Sequence, residues 1–523
     1  MSTMYEIEEH FESVDAQFSA IKEYVEQSAG KVELHVAEQV IFNKLLQLGL
    51  CFIKEYVRNS CPFHDPQAPP VAKDGSVPAY KGTSTRSYFS IFGEFKIERA
   101  RYLTASGRYW QPLDHRLNLP TEKYSYLLQK WLQTGCTETN YHEAANHFNE
   151  IFGFSFRPNA LRRITDQVSD EVAPFYDENA APSRESEGPC IGISADGKGV
   201  RIIKSDRDKL DKFTASESEA QKPRLGRGEK NGKKKEAVVT ADFSFFPQAR
   251  EPEEIVKALL KKFTHEEREQ EKRARQLRRE NNEPEPRAAL NKHLRAFFDG
   301  KAKAADYLMQ RIQKRDPDQQ KPVVVLVDGA PSLEKNLNKA LDEYGITDRV
   351  AAFLLDIIHV TEYLWKAGTA LHGEQGSKRV EWVETKLRAL LKSDVDTVIK
   401  GLKISISKNE KLSRSKREKI QTVITYFENH RHMMDYKAAL EKGYPIATGL
   451  VESACCSLVK DRMEQSGMRW SIEGAKSILE LRAVKKNNDW ELFWKTFIRS
   501  QAQKCYPDNY RCQHIQNQYA KAA

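Results

Sequence analysis

The sequence predicts an α+β multidomain protein built on a mixed sheet flanked by helices. Three observations lead there. Short apolar runs of strand length, such as Val323-Val324-Val325-Leu326-Val327, alternate with long stretches of helical periodicity. Two of these runs end on a carboxylate: Ile191-Gly192-Ile193-Ser194-Ala195 on Asp196, and Val323 to Val327 on Asp328. A third carboxylate, Glu452, lies in Gly449-Leu450-Val451-Glu452-Ser453, which reads as the opening of a helix.

Taken in order, residues 4 to 60 read as helices, with Ile41, Leu45, Leu46, Leu48 and Phe52 at roughly helical spacing. Region 1–60 is therefore expected to be helical. Loop texture begins at Asn59-Ser60-Cys61-Pro62. Region 61–115 then carries a hairpin: Tyr88 to Phe92 and Phe95 to Tyr102 flank Gly93-Glu94, and the second run alternates apolar with polar.

Region 116–180 turns helical again. Ser125 to Leu132 and Tyr141 to Glu150 read as two helices, Phe152-Gly153-Phe154 as a turn, and Arg157-Pro158-Asn159-Ala160-Leu161-Arg162-Arg163-Ile164 as the start of a third. A short helix, a glycine turn and a basic helix fit a DNA-binding helix-turn-helix. The pattern equally suits an ordinary three-helix packing unit; Arg157, Arg162 and Arg163 tilt the reading toward DNA.

A polar linker, Pro182 to Pro189, leads into the run that ends on Asp196. Gly199-Val200-Arg201-Ile202-Ile203 is expected to fold back as a second strand, and Ala237 to Phe246 as a third. Between them, residues 222 to 235 hold seven basic residues against Glu229, which suits a phosphate-contacting loop as well as a solvated one. Residues 251 to 320 read as a charged helical insertion. The run Val323 to Val327 is the kind of strand buried on both faces. Ala351 to Leu355 is another, and 366 to 440 is an all-helical insertion. The resulting order β-β-β-α-β-α-β, with a helical block before the last acidic helix, matches a ribonuclease-H-like core spanning 181–495, followed by a tail, 496–523. No internal repeat is visible.

The net charge of +9 and pI near 8.9 favour polyanionic partners. The N-terminus lacks the basic and apolar segments of a signal peptide, and no uninterrupted apolar stretch approaches the roughly 18 residues of a membrane span. A soluble, cytoplasmic protein without a membrane is expected. Eight cysteines in 523 residues do not make a disulfide scaffold. Cys61 with His64, and Cys505 with Cys512 and His514, resemble fragments of zinc sites. Both lack the paired spacing of a ribbon or finger, so thiols without metal are the better expectation.

Phosphodiester transfer needs an in-line oxygen nucleophile and stabilisation of the leaving oxygen, which two Mg²⁺ or Mn²⁺ ions can supply. Hard carboxylate ligands suit these ions, and strand ends hold ligands more rigidly than loops. Asp196, Asp328 and Glu452 are the expected metal ligands and catalytic residues. Each also has a plain reading: Asp-Gly is a common turn pair, and Glu452 suits a helix N-terminus capped by Thr448. Asp356 and His359, three residues apart, could orient a ligand or contact the scissile phosphate. A satisfied core histidine is the commoner role. Lys460, Arg462 and Arg469 follow Glu452 and are expected to contact DNA phosphates. Trp470 suits either the core or a stacking platform for a base.

The segments Gly449-Leu450-Val451-Glu452-Ser453-Ala454-Cys455 and Val459-Lys460-Asp461-Arg462-Met463-Glu464-Gln465-Ser466-Gly467-Met468-Arg469-Trp470-Ser471 carry a family resemblance. So do Asp356-Ile357-Ile358-His359-Val360-Thr361-Glu362-Tyr363-Leu364-Trp365, Asp196-Gly197-Lys198 and Asp328-Gly329-Ala330. From about residue 85 to 495 the chain resembles the DDE transposases of bacterial insertion sequences, most closely the ISKra family. Asp356 and His359 also resemble the (Cys/Asp)-x-x-His element of mutator-like transposases. The resemblance implies cleavage of double-stranded DNA at the element's terminal inverted repeats and joining to target DNA. A homodimer or larger assembly on DNA follows, because two ends must be joined. One departure concerns zinc. Many relatives carry a cysteine-rich ribbon after the position of Arg99-Ala100-Arg101-Tyr102, but here Leu103 to Trp110 has no cysteine. Composition and spacing alone reach a metal-dependent nucleic-acid enzyme. A structure-specific nuclease and a domesticated, non-catalytic DNA-binding protein are the competing expectations.

Overall fold

The computed structural model describes residues 13–60, 76–206, 234–281, 289–409 and 412–506. Cys61, His64, Cys512, His514 and most of the basic stretch 222 to 235 lie outside the described residues. The chain forms two compact units, one of residues 178–488 and one that joins residues 1–177 to 489–523.

The discontinuous unit opens with two helices, Val14–Ser28 and Leu34–Ser60, neither of which buries a residue. Polar residues interrupt the second helix, yet an 18-residue window of it has mean hydropathy 1.3, enough by length and composition to cross a membrane. Next come β1 (Ala79–Ser90) and β2 (Gly93–Leu103), antiparallel, with the short β3 (Tyr109–Trp110) beside β2. Ser90 pairs with Gly93, so the hairpin turns at Ile91-Phe92, two residues before the expected Gly93-Glu94. Ser90 Oγ fastens this turn. It accepts from the Phe92 N–H and donates to the Gly93 carbonyl, both at 3.1 Å. At φ +138°, Gly93 opens β2 in a conformation that a side chain would strain.

The helices Tyr126–Cys136, Tyr141–Phe152 and Pro158–Ser169 follow as expected. Asn140 caps the second by accepting from the Glu143 N–H at 2.9 Å. Gly153, left-handed at φ +67°, ends it, and Pro158 starts the third. Leu128, Leu132, Ala144, Ala145, Leu161 and Ile164 form the buried faces. The helix Trp490–Cys505 belongs to this unit and does not close the 181–495 region as the sequence suggested. Its Glu491 meets Lys130 at 2.6 Å, and its Phe493 meets Phe175 edge to face at 5.4 Å.

The other unit holds a five-stranded sheet of β4 (Cys190–Arg201), β5 (Lys234–Phe245), β6 (Leu290–Phe297), β7 (Val323–Val327) and β8 (Val350–Leu355). Their spatial order is β6-β5-β4-β7-β8. β5 pairs antiparallel with β4 and β6, whereas β4–β7 and β7–β8 are parallel, so β5 alone runs against the other four. The order along the chain is β-β-α-α-β-α-β-α-β, and two strands differ from those of the expected β-β-β-α-β-α-β. β4 continues through Gly199 to Arg201 without folding back. The third strand, β6, lies inside the stretch expected to be a charged helical insertion. The helices Pro252–Leu259 and His265–Glu280 precede it and Lys301–Arg315 follows it.

The charges that disguise β6 are buried and paired. Arg295 bonds Glu480 through two nitrogens at 3.0 Å each, and His293 Nε2 lies 2.8 Å from the Tyr307 hydroxyl. Beside them, Arg315 bonds both Asp242 and Glu187, and Arg311 bonds Asp242. Each charge keeps a hydrogen-bonded partner inside, the condition under which burial is tolerated. β7 is buried along its whole length, as its apolar run implied. The all-helical insertion comprises Ser377–Leu391, Val395–Lys408, Arg414–Asn429 and Tyr436–Glu441, preceded by Ile357–His372.

Candidate functional site

The sheet register brings the first two carboxylates together. Ala195 on β4 pairs with Val327 on β7. Asp196 follows Ala195 and Asp328 follows Val327, so the two aspartates sit abreast. Asp196 does not end its strand as expected: β5 pairs with β4 along its whole length and carries it on to Arg201, whereas Asp328 directly follows β7. Strands lie about 4.8 Å apart, and the charge of Asp328 acts on Asp196. Asp196 Oδ1 accepts from the Gly197 N–H at 2.6 Å, and Asp328 Oδ1 from the Ala330 N–H at 3.0 Å. Burial raises the Asp196 pKa; a hydrogen bond from the Cys455 thiol opposes that rise, and the charge of Asp328 adds to it.

Glu452 arrives from a later helix, Gly449–Ala454. Immediately after it the chain makes a π-helical turn over Cys455–Lys460, a widening that often accompanies functional sites. Burial and the Asp356 charge push the Glu452 pKa up, while His359 pulls it down. The expected Thr448 cap does not form. The Thr448 hydroxyl donates instead to Asp356 Oδ2.

Asp356 is fully buried and caps the helix Ile357–His372, accepting from the Ile358 N–H at 2.9 Å. His359, one turn on, places Nδ1 3.2 Å from Asp356 Oδ2 and 3.7 Å from Glu452 Oε1. The hydrogen bond to Asp356, opposed by burial and helped by the charges of Asp356, Glu362 and Glu452, lifts the His359 pKa to about 9. Asp356, His359 and Glu452 offer ligand atoms within 4.8 Å of one another, close enough to hold one metal ion. Asp356, expected to act only behind the ligands, is thus among the potential ligands itself.

The predicted basic residues divide. Lys460 and Arg469 are exposed after Glu452. Arg462 is fully buried, with its guanidinium over the Trp470 ring at 4.7 Å, so the expected phosphate contact is replaced by a cation–π stack. Trp470 is core: it is buried and its Nε1–H donates to the Met463 carbonyl at 3.1 Å. In the other unit Arg157, Arg162 and Arg163 are all exposed. Arg163 pairs with Glu122 at 2.6 Å, and Arg162 lies 3.7 Å from Asp166. Cys505 is a free thiol.

Sequence reasoning missed Cys455 and two side chains that hold the Asp328 turn, Tyr426 and His430, and gave Thr448 a capping role in place of its bond to Asp356. The Tyr426 hydroxyl donates to the Asp328 carbonyl at 3.0 Å, and His430 Nε2 meets the Gly329 carbonyl at 2.8 Å. Cys455 lay inside a segment singled out for Glu452 and was open to notice. The other contacts join residues about 90 or more positions apart and leave no local signal. No protein-family model matches the chain, and no curated protein sequence matches it.

Proposed function

We propose that the chain is a metal-dependent DNA transposase of the DDE type, related to the ISKra family, acting in the cytoplasm on double-stranded DNA. The observation that carries the reading is the placement of Asp196, within β4, beside Asp328, directly after β7, with Glu452 brought in by a later helix. The order β6-β5-β4-β7-β8, with β5 reversed, is the arrangement expected of a ribonuclease-H-like core.

Asp196, Asp328 and Glu452 would hold two Mg²⁺ or Mn²⁺ ions, with Asp356 and His359 adjoining Glu452. The donor set suits this: it is rich in carboxylates, and burial together with mutual repulsion opposes ionisation of Asp196 and Glu452 until a cation offsets them. Ions bound there would supply activation of the attacking oxygen and would offset charge on the leaving oxygen. The protein's part is to fix the carboxylates on a rigid sheet and to hold DNA through exposed cations. Lys460 and Arg469 follow Glu452 in the sequence, and Arg157, Arg162 and Arg163 lie on the helix-turn-helix candidate. Water cleaves the phosphodiester at an element end, and the freed 3′-hydroxyl attacks target DNA, displacing a target 3′-oxygen. A homodimer or larger assembly joins the two ends.

Mg²⁺-dependent cleavage and joining of DNA bearing the terminal inverted repeats is the test. Asp196→Asn, Asp328→Asn and Glu452→Gln should each lower the rate on the order of 10³-fold, matching several kcal/mol of lost transition-state stabilisation. DNA binding should persist. Intact cleavage in all three variants would reject the site. Cleavage without strand transfer would point to a structure-specific nuclease, and binding without chemistry to a non-catalytic DNA-binding protein.

A further inference from the structure

The all-helical insertion reaches back to the sheet at the ends of the two strands that lead into Asp328 and Asp356. Three of its side chains meet main-chain carbonyls there. The Tyr426 hydroxyl donates to the Asp328 carbonyl at 3.0 Å. His430 Nε2 meets the Gly329 carbonyl at 2.8 Å, while its Nδ1 meets the Tyr426 carbonyl at 2.7 Å. The buried Tyr436 hydroxyl donates to the Leu355 carbonyl, one residue before Asp356, at 2.9 Å. Carbonyls at the end of a strand have outrun their ladder partners, and buried ones need a donor.

The turn at Gly329 shows how close this packing is. Gly329 adopts φ +90°, and a Cβ there would lie 3.0 Å from the Tyr426 hydroxyl and 3.1 Å from His430 Nε2. Tyr426 is itself held from the other side. Its ring stacks on Tyr363 with centroids 3.8 Å apart and planes 4° from parallel. Tyr363 lies on the helix Ile357–His372, which starts at Asp356 and carries His359. Residues far apart in sequence thus join the Asp328 turn to the start of the Asp356 helix.

We infer that Tyr426 and His430 are positioning residues: they hold the Asp328-Gly329 turn so that the Asp328 carboxylate keeps its place beside Asp196. The insertion is on this view part of the site's framework. The consequence for cation binding rests on the function proposed above; the positioning of the turn does not.

Amide hydrogen exchange in the full chain tests the positioning directly. The Ala330 N–H donates to Asp328 Oδ1 at 3.0 Å and reports the turn. Tyr426→Phe keeps the ring and its stack on Tyr363 but removes the donor. With a lost hydrogen bond worth about 1 kcal/mol, exchange over 328–331 should quicken about fivefold. Exchange in β4 and the thermal midpoint should stay close to the parent. His430→Gln, which retains a donor, should exchange more slowly than His430→Ala. Unchanged exchange over 328–331 in Tyr426→Phe and His430→Ala alike would overturn the inference. Mn²⁺ binding, read from the free-ion paramagnetic signal, separates the two readings. Weaker Mn²⁺ binding in Tyr426→Phe is expected. If Asp328→Asn leaves Mn²⁺ binding intact while exchange still responds to Tyr426→Phe, the metal reading fails and the positioning role stands. If Asp328→Asn abolishes binding and Tyr426→Phe changes neither binding nor exchange, the positioning role fails and the metal reading stands.

Discussion

Two clusters of charge lie within the same unit, and they are built on opposite plans. The network around β5 and β6 balances its signs. Asp242, Glu187 and Glu480 face Arg311, Arg315 and Arg295, and the pairs are hydrogen-bonded and buried. The cluster around Asp196 and Glu452 does not. Asp356, Glu362 and Glu452 act on His359, while Asp196 feels Asp328 and His359, and the nearby cation Lys198 acts on Cys455. A buried charge set that is internally satisfied needs nothing from outside. One in which carboxylates outnumber the cations is unfavourable by itself and gains from an added cation.

The histidines make the same contrast. Burial, chiefly, lowers the His293 pKa to about 3, so it is neutral when folded. A hydrogen bond to Asp356, chiefly, raises His359 to about 9, so it is charged. One histidine is enclosed among arginines and the other among carboxylates.

The largest expected difference is in stability. Removing one partner from the balanced network, as in Arg315→Met, strips Glu187 of its arginine, leaves Asp242 with Arg311 alone and should cost about 3–5 kcal/mol in denaturant unfolding. Asp328→Asn, which relieves repulsion, should cost the metal-free protein nothing comparable. A similar loss in both variants would erase the distinction between the clusters.

A smaller effect tests the need for a cation. Mn²⁺ at 100 times its dissociation constant should stabilise the parent by about 2.7 kcal/mol, seen as a higher thermal midpoint. Asp328→Asn should reduce that gain and His293→Gln should leave it in place. An equal gain in Asp328→Asn would place the ion elsewhere.

The smallest effect is a slope with pH, and the two histidines give it opposite signs. For His293 the folded pKa lies below the unfolded value of about 6.5. The unfolded chain therefore binds the extra proton, and stability falls as pH drops from about 6.5 toward about 3. The steepest loss is about 1.4 kcal/mol per pH unit, and His293→Gln should flatten it. For His359 the folded pKa lies above the unfolded value. Its contribution is full below about 6.5 and is lost as pH rises through about 9 in metal-free protein. His359→Gln should flatten the profile on that alkaline side alone. Matching slopes in both variants would show that the two environments do not differ as described.

Local chemistry made much of this legible. The apolar run Val323 to Val327 marked β7, and Asp328 was visible as the acid at its end; Asp196 was visible as an acid after an apolar run, but β4 continues past it to Arg201. The helices around Gly153 were readable because a left-handed glycine and Pro158 punctuate them. β6 was hidden because Arg295 and His293 are charged or polar by type. Glu480, Tyr307 and Asn487, supplied by other parts of the chain, make their burial tolerable. Arg462 failed in the opposite direction: an arginine beside an acidic motif looks like a phosphate contact, yet it stacks on Trp470 in the interior.

The sequence by itself determined which carboxylates follow apolar strand residues, and in what order, because periodicity and side-chain type are local properties. Tertiary structure alone decided which acids are neighbours. The β4–β7 register set Asp196 beside Asp328, and the turn at Thr448 brought Glu452 to His359 and Asp356. It also decided that Tyr426 and His430 hold the Asp328 turn from about 100 residues away. Such contacts depend on how the chain closes on itself, and no window of sequence contains them.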